Sequence, residues 1–412
     1  MYRFAIRTWR RVFITMPEFR LSLTRARDGE ETTVSVIEKE VVDSVSGIES
    51  PGVRTGLLAQ RESAVANLAA GVQNMHPAYF AMVMATGIVA IGCQLNGLRL
   101  IAIGLSYLNV GIFVVLWTFT IVRATVFPRN FFNDLIDHKR GPGFFTIVAG
   151  TSVLGRQQII IFGHYTAAIV LWFVAVPLWA GFTYAIFTGF TVKEDKPSLA
   201  EGIHGGWLIA VVATQAVSSL GTLLARQFPT HETEMLFFSL SMWLCGGMLY
   251  IWVISLIFYR YTFFRFLPSD LMPPYWINMG AMAISTLAGA NLILSSSRAS
   301  FLTALLPFLK GFTVFFWATA TWWIPMLATL AIWRHVYKRF RLAYDPLYWG
   351  AVFPLAMYTV STHQLAQALD LPFLLWIPHS FVYVALVAWL ATFAGLLWTI
   401  RGLRVATKGV AL

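Results

Sequence analysis

From residue 78 to residue 400 the chain is a succession of apolar blocks, each separated from the next by a short charged or Gly/Pro-containing break. A bilayer core of about 30 Å requires about 20 apolar residues in helical form, with every backbone N–H and C=O paired inside its own segment. Blocks at 78–97, 101–122, 144–163, 165–190, 207–225, 235–258, 275–297, 311–333, 347–369 and 374–400 fit that requirement. Charged residues are 12% of the chain, against about a quarter in a soluble domain. The expected fold is therefore all-α, a polytopic membrane protein with ten transmembrane helices.

Residues 1–75 differ in kind. Arg3, Arg7, Arg10, Arg11 and Arg20 precede a polar, acidic run, and no uninterrupted apolar core follows them. This pattern is not that of a signal peptide, and it reads as a partly disordered cytoplasmic tail. The membrane domain is expected over 76–402, with a second short cytoplasmic tail over 403–412. The net charge of +11 resides in loops and tails, where Lys and Arg set membrane orientation, so it indicates no nucleic-acid partner. Cys93 and Cys245 both fall in apolar runs and read as small buried hydrophobes.

The blocks alternate in character. Odd-numbered ones are rich in Gly, Ala, Ser and Thr ("FAMVMATGIVAIG", "FTIVAGTSVLG"), and even ones are bulky and aromatic ("GIFVVLWTFTIV", "FTVFFWATATWWIPML"). Small residues let helix backbones approach closely and large apolar ones suit lipid, so the odd helices should form an inner ring and the even ones an outer ring. Four odd blocks open alike: Pro77-Ala-Tyr-Phe80, Pro142-Gly-Phe-Phe145, Pro273-Pro-Tyr-Trp276 and Pro346-Leu-Tyr-Trp349. The remaining one has His204-Gly-Gly-Trp207. Proline suits a first helical turn, whose N–H lacks a partner anyway, and the aromatic suits the membrane interface. The recurrence predicts five helical hairpins in a quasi-fivefold arrangement around a central pore. Basic residues concentrate in the breaks after even blocks, which predicts cytoplasmic termini.

Aspartate and glutamate are missing from the blocks, which removes the acidic rings of cation pathways and the carboxylate relays of proton carriers. The odd blocks offer neutral dipoles instead, and the pore-lining candidates are Thr86, Thr151, Ser152, Thr214, Gln215, Ser218, Asn278, Thr286, Thr362 and His363. Two readings stand for the hydroxyls: donors for loosely held anions, or bonds back to their own helix. Arg99, Arg156, Arg226 and Arg298 each stand at the outer end of an odd block, either as a positive outer vestibule or as arginines snorkelling to headgroups. His363 is either a titrating group or a polar packing residue. Pro354 interrupts the helical bonding of the ninth block and bends it. A bend that aims Phe353 at the axis would make its ring a hydrophobic gate; ordinary packing is the other reading. No phosphate loop, HExxH or GxSxG motif is present, so no metal, cofactor or enzymatic activity is expected, and a membrane-bound enzyme is the weakest alternative.

In order along the chain, "HPAYFAMVMATGIVAIG", "FFTIVAGTSVLG", "WLIAVVATQAVSSLG", "WINMGAMAISTLAG" and "YDPLYWGAVFPLAMYTVSTHQLA" resemble the tellurite-resistance/C4-dicarboxylate transporter (TDT) family. That family includes plant slow anion channels, fungal malate permeases and sulfite efflux pumps. The resemblance covers residues 76 to 400 and implies a homotrimer with one pore per protomer. It also implies a pore-plugging phenylalanine on the ninth helix, which falls on Phe353 of "AVFPLAMY". The expected function is passage of small anions (chloride, nitrate, sulfite or a C4-dicarboxylate such as malate) across the cell membrane. A proton-coupled dicarboxylate or tellurite-related carrier is the alternative.

Overall fold

The computed structural model describes residues 69–409; most of the tail expected over 1–75 and the last residues of that expected over 403–412 lie outside them. Every regular element among the described residues is helical. Ten long helices organise the chain: α1 (Ala81–Leu95), α2 (Arg99–Val126), α3 (Phe145–Gln157), α4 (Tyr165–Val192) and α5 (Ile209–Leu224), then α6 (Glu232–Phe263), α7 (Ile277–Leu294), α8 (Leu306–Ile332), α9 (Trp349–Leu369) and α10 (Trp376–Gly409). Nine of these, with their flanking turns, are long and apolar enough to cross a membrane. The exception is α9. Its 21 residues reach about 31 Å, but Thr359, Ser361, Thr362, His363, Gln364 and Gln367 lower its hydropathy.

The repeat seen in the sequence is a repeat in structure. A single 3₁₀ turn precedes each odd helix: Pro77–Phe80, Gly141–Phe144, Gly205–Leu208, Pro273–Trp276 and Pro346–Tyr348. Proline occupies the first or second position in four of them. Three of the turns are capped by the residue before them: His76 accepts from the Ala78 N–H at 3.1 Å, His204 from the Gly206 N–H at 3.1 Å, and Asp345 from the Leu347 N–H at 2.7 Å. Both imidazoles need an unprotonated Nδ1 for this bond, and burial holds each at a pKa of about 4.

The odd helices pack in cyclic order, α1 on α3, α3 on α5, α5 on α7, α7 on α9 and α9 back on α1. Each even helix lies outside this ring, and α4, α6, α8 and α10 each touch the inner helix of their own hairpin and that of the next. The membrane-crossing stretches of α1, α3, α5 and α7 are 78%, 89%, 94% and 94% buried, against 28%, 17%, 44%, 22% and 17% for α2, α4, α6, α8 and α10. Small residues buy this close packing. A Cβ at Gly280 would fall 2.7 Å from Cγ of Pro354, so the missing side chain on α7 is what seats the proline ring of α9. Arginines near the ends of three even helices brace the loops: Arg123 pairs with Asp134, Arg260 donates to the Ala200 carbonyl at 2.8 Å, and Arg334 donates to the Leu271 carbonyl.

Candidate functional site

All five inner helices converge on one small cavity at their N-terminal ends. Ala81 and Met84 of α1, Thr146 of α3, Ile209 of α5, Ile277 of α7, and Gly350 and Phe353 of α9 line it. Its volume is about 20 Å³, enough for roughly one water. Phe353 is 1% exposed, and Pro354 follows it at the point where a prolyl nitrogen leaves the Gly350 carbonyl without its helical donor. The residue expected from the sequence to be the gate therefore lines a cavity to which residues of all five inner helices contribute.

Helical periodicity extends these faces away from the cavity. Continued in steps of three, four and seven residues, the cavity-lining faces run through Ile88 and Ile91 on α1, Ala216 on α5, Ile284 and Ala288 on α7, and Met357 on α9, all buried, and this run is called the axial stripe. Continued further, it reaches Arg156 on α3, Ser219 on α5 and Asn291 on α7. These three are joined: Arg156 Nη1 donates to Ser219 Oγ at 2.9 Å, and Asn291 Nδ2 donates to the same oxygen at 3.0 Å. Arg156 is 4% exposed and pairs with no carboxylate among the described residues. Its Nε is buried without a partner. Ten residues at 1.5 Å each separate Thr146 from Arg156, so the cationic level lies about 15 Å along the axis from the Phe353 cavity.

The other polar candidates divide into three groups. The first bonds to outer helices: Thr86 accepts the Trp389 indole N–H at 3.0 Å, Thr214 that of Trp179 at 2.8 Å, and Thr362 that of Trp317 at 3.0 Å. Gln215 donates to the Trp243 carbonyl at 3.0 Å and Ser218 to the Ser239 carbonyl at 2.6 Å. The Asn278 amide is 3.4 Å from Tyr261 Oη. Thr151 and Thr286 form the second group and bond back to their own helix, to the Ile147 and Met282 carbonyls at 2.7 and 2.9 Å. The third group bonds in neither way: Ser152 Oγ is buried without a partner, and half-buried His363 leaves Nδ1 free while Nε2 lies 3.2 Å from Gln367; in the first group Gln215 Oε1 and Asn278 Oδ1 are likewise unpartnered. Of the four vestibule arginines only Arg156 is buried. Arg99 and Arg226 are exposed, and Arg298 pairs with Glu232.

Sequence reasoning missed the indole clasps. Besides the three above, Trp172 donates to the Val217 carbonyl at 3.1 Å and Trp243 to the Ser285 carbonyl at 2.9 Å. Each joins an even helix to the inner helix of the next hairpin, and Trp389 to Thr86 closes the circle from α10 to α1. At the α2–α3 seam an amide pair, Asn109 to Gln157 at 2.8 Å, has the same role. The available signal was chemical: a buried indole N–H needs an acceptor, and threonine hydroxyls and backbone carbonyls of the next odd block were the acceptors within reach.

The fold is that of a multi-pass helical membrane protein, whose buried ring offers donors and one arginine without a carboxylate partner, and no carboxylate, among the described residues. The profile of the SLAC1 family, described as voltage-dependent anion channel, matches residues 74–397, and the chain belongs to that family. It is similar to an uncharacterized transporter of Methanocaldococcus jannaschii, 26% identical over 329 residues that cover 78% of this chain and 92% of that one. An uncharacterized membrane protein of Mycobacterium tuberculosis is 40% identical over 150 residues, covering 36% of this chain and 75% of its own. A sulfite efflux pump of Trichophyton rubrum is 24% identical over 348 residues, covering 78% and 90%.

Proposed function

We propose that small anions pass along the axis of the inner ring, with α1, α3, α5, α7 and α9 lining the path and Phe353 closing it. The candidate anions are chloride, nitrate, sulfite and C4-dicarboxylates such as malate. In this reading the ten long helices all span the membrane as five hairpins in quasi-fivefold order, both termini are cytoplasmic, and three copies assemble with one path each. The observation that carries it is the Phe353 cavity, to which every inner helix contributes. A phenyl ring bordering a space of only about 20 Å³ leaves no room for a hydrated ion, and stripping water from an ion in apolar surroundings costs many kcal/mol. Beyond it the stripe offers no acidic side chain to repel an anion.

The test is Phe353→Ala in planar bilayers under an anion gradient. Conductance should rise at least about tenfold, with a reversal potential that follows the anion gradient at any pH. Unchanged current removes the gate assignment. A second reading, proton-coupled transport, draws on His363, whose Nδ1 has no partner among the described residues. Uptake that collapses when the proton gradient is dissipated, and that is lost in His363→Asn, would favour it.

A further inference from the structure

We infer that Arg156, Ser219 and Asn291 form a binding site for a monovalent oxyanion at the end of the axial stripe remote from Phe353. The inference rests on the reading of the ring axis as an anion path. Burying a guanidinium costs several kcal/mol unless an opposite charge or a full set of acceptors compensates it. Arg156 is 96% removed from solvent by its 4% exposure, and a single hydroxyl oxygen is its hydrogen-bond partner. Its charge is thus uncompensated by protein among the described residues, in contrast to Arg123, Arg260 and Arg298, each of which lies beside a carboxylate.

The pattern of used and unused atoms specifies the ligand. Ser219 takes up Nη1, Nε is buried without a partner, and Nη2, which completes the side-on edge of the guanidinium with Nε, makes no hydrogen bond among the described residues. That edge presents two parallel N–H groups, the geometry that grips two oxygens of one anion. Ser219 Oγ accepts from both Arg156 and Asn291, so its own O–H remains as a further donor. Ser152, one helical turn before Arg156, adds a buried hydroxyl without a partner. A spherical halide uses one point of such a fork, whereas nitrate, bisulfite, bicarbonate or a monocarboxylate uses both. One fixed positive charge neutralises one negative charge, so a dianion would remain with an unpaired charge in apolar surroundings. Because a serine hydroxyl, and not a carboxylate, orients the arginine, the site holds its anion without a competing internal one.

The full chain in liposomes tests this, with nitrate and iodide as probes because both shed water easily and differ in shape. In a Phe353→Ala background the nitrate-to-iodide flux ratio should fall about tenfold in Arg156→Lys, which keeps the charge and loses the fork. Total anion flux should persist. Ser219→Ala should lower the ratio less. In detergent, nitrate should raise the thermal midpoint of the unaltered protein more than iodide at equal ionic strength, and Arg156→Lys should abolish the difference. A ratio and a thermal difference that survive in both variants overturn the site while leaving the anion path standing. If no anion moves in any form, the path and the site both fall. Loss of folding in Arg156→Lys, read as aggregation in size exclusion, shifts the decision to Ser219→Ala and to the thermal difference in the unaltered protein. An unchanged ratio in the first, or no difference in the second, overturns the proposal.

Discussion

The outward and axial faces of the same inner helices treat polar residues in opposite ways. On the outward face Thr86, Thr214 and Thr362 each take an indole N–H from an outer helix, and Gln215 and Ser218 donate to outer-helix carbonyls. On the axial face Arg156 keeps its Nε unpaired and Ser219 keeps a donor. The difference teaches that a small polar residue in a buried membrane helix is assigned by its partner. Where an outer helix supplies the complementary group, the residue fastens the ring; where none does, it bonds back to its own helix, as Thr151 and Thr286 do, or keeps a polar atom free, as Ser152 does.

The comparison can be strained at several points. The largest effect is expected from pH. Both His76 and His204 commit Nδ1 to a backbone N–H, and burial lowers each from 6.5 to about 4. The unfolded chain therefore binds more protons between these values. Stability should be full above pH 6.5 and be lost as pH falls toward 4, by roughly 2 kcal/mol per histidine at pH 5. Thermal unfolding of the detergent-solubilised protein reads this, and His204→Asn should flatten the slope. An unaltered midpoint between pH 7 and 5 would remove these imidazoles from the ring's fastening.

Next comes the seat of the proline. Gly280→Val places a Cβ 2.7 Å from a rigid ring that has no rotamer to yield, and overpacking of this kind costs about 1–3 kcal/mol. If the bend of α9 also sets the position of Phe353, resting anion flux should change with it. Normal flux at reduced stability would separate packing from closure. The smallest effect belongs to the clasps. Thr214→Val deprives the Trp179 indole of its acceptor and should cost about 1 kcal/mol, with the nitrate-to-iodide ratio intact. A shift in that ratio would place Thr214 on the axis after all.

Much of this architecture was legible from the chain. The four Pro-x-x-aromatic openings and the His204-Gly-Gly-Trp207 opening correspond to five 3₁₀ turns, and the alternation of small and bulky blocks corresponds to buried and exposed helices. Both signals are local, one in turn chemistry and the other in residue volume. The ninth block differs only in that its polar residues leave α9 less apolar than its neighbours. The site was legible in composition and not in direction. Ser218 and Ser219 are adjacent and chemically identical, yet one donates to α6 and the other accepts from Arg156, because successive residues of a helix point about 100° apart. Likewise Arg156 and Arg298 look equivalent at the outer ends of their blocks, and only the fold gives Glu232 to Arg298 and a serine hydroxyl, with no carboxylate among the described residues, to Arg156.

The most direct measurement is the access of a charged thiol reagent to the two faces. In a background of Phe353→Ala, Cys93→Ala and Cys245→Ala, a cysteine would be placed at Ala216 on the axial stripe or at Thr214 facing Trp179. A negatively charged methanethiosulfonate should react with the Ala216→Cys protein and block anion flux, and should leave the Thr214→Cys protein conducting. Flux that continues unaltered after reagent treatment at Ala216→Cys, or a block confined to Thr214→Cys, would contradict passage along the ring axis.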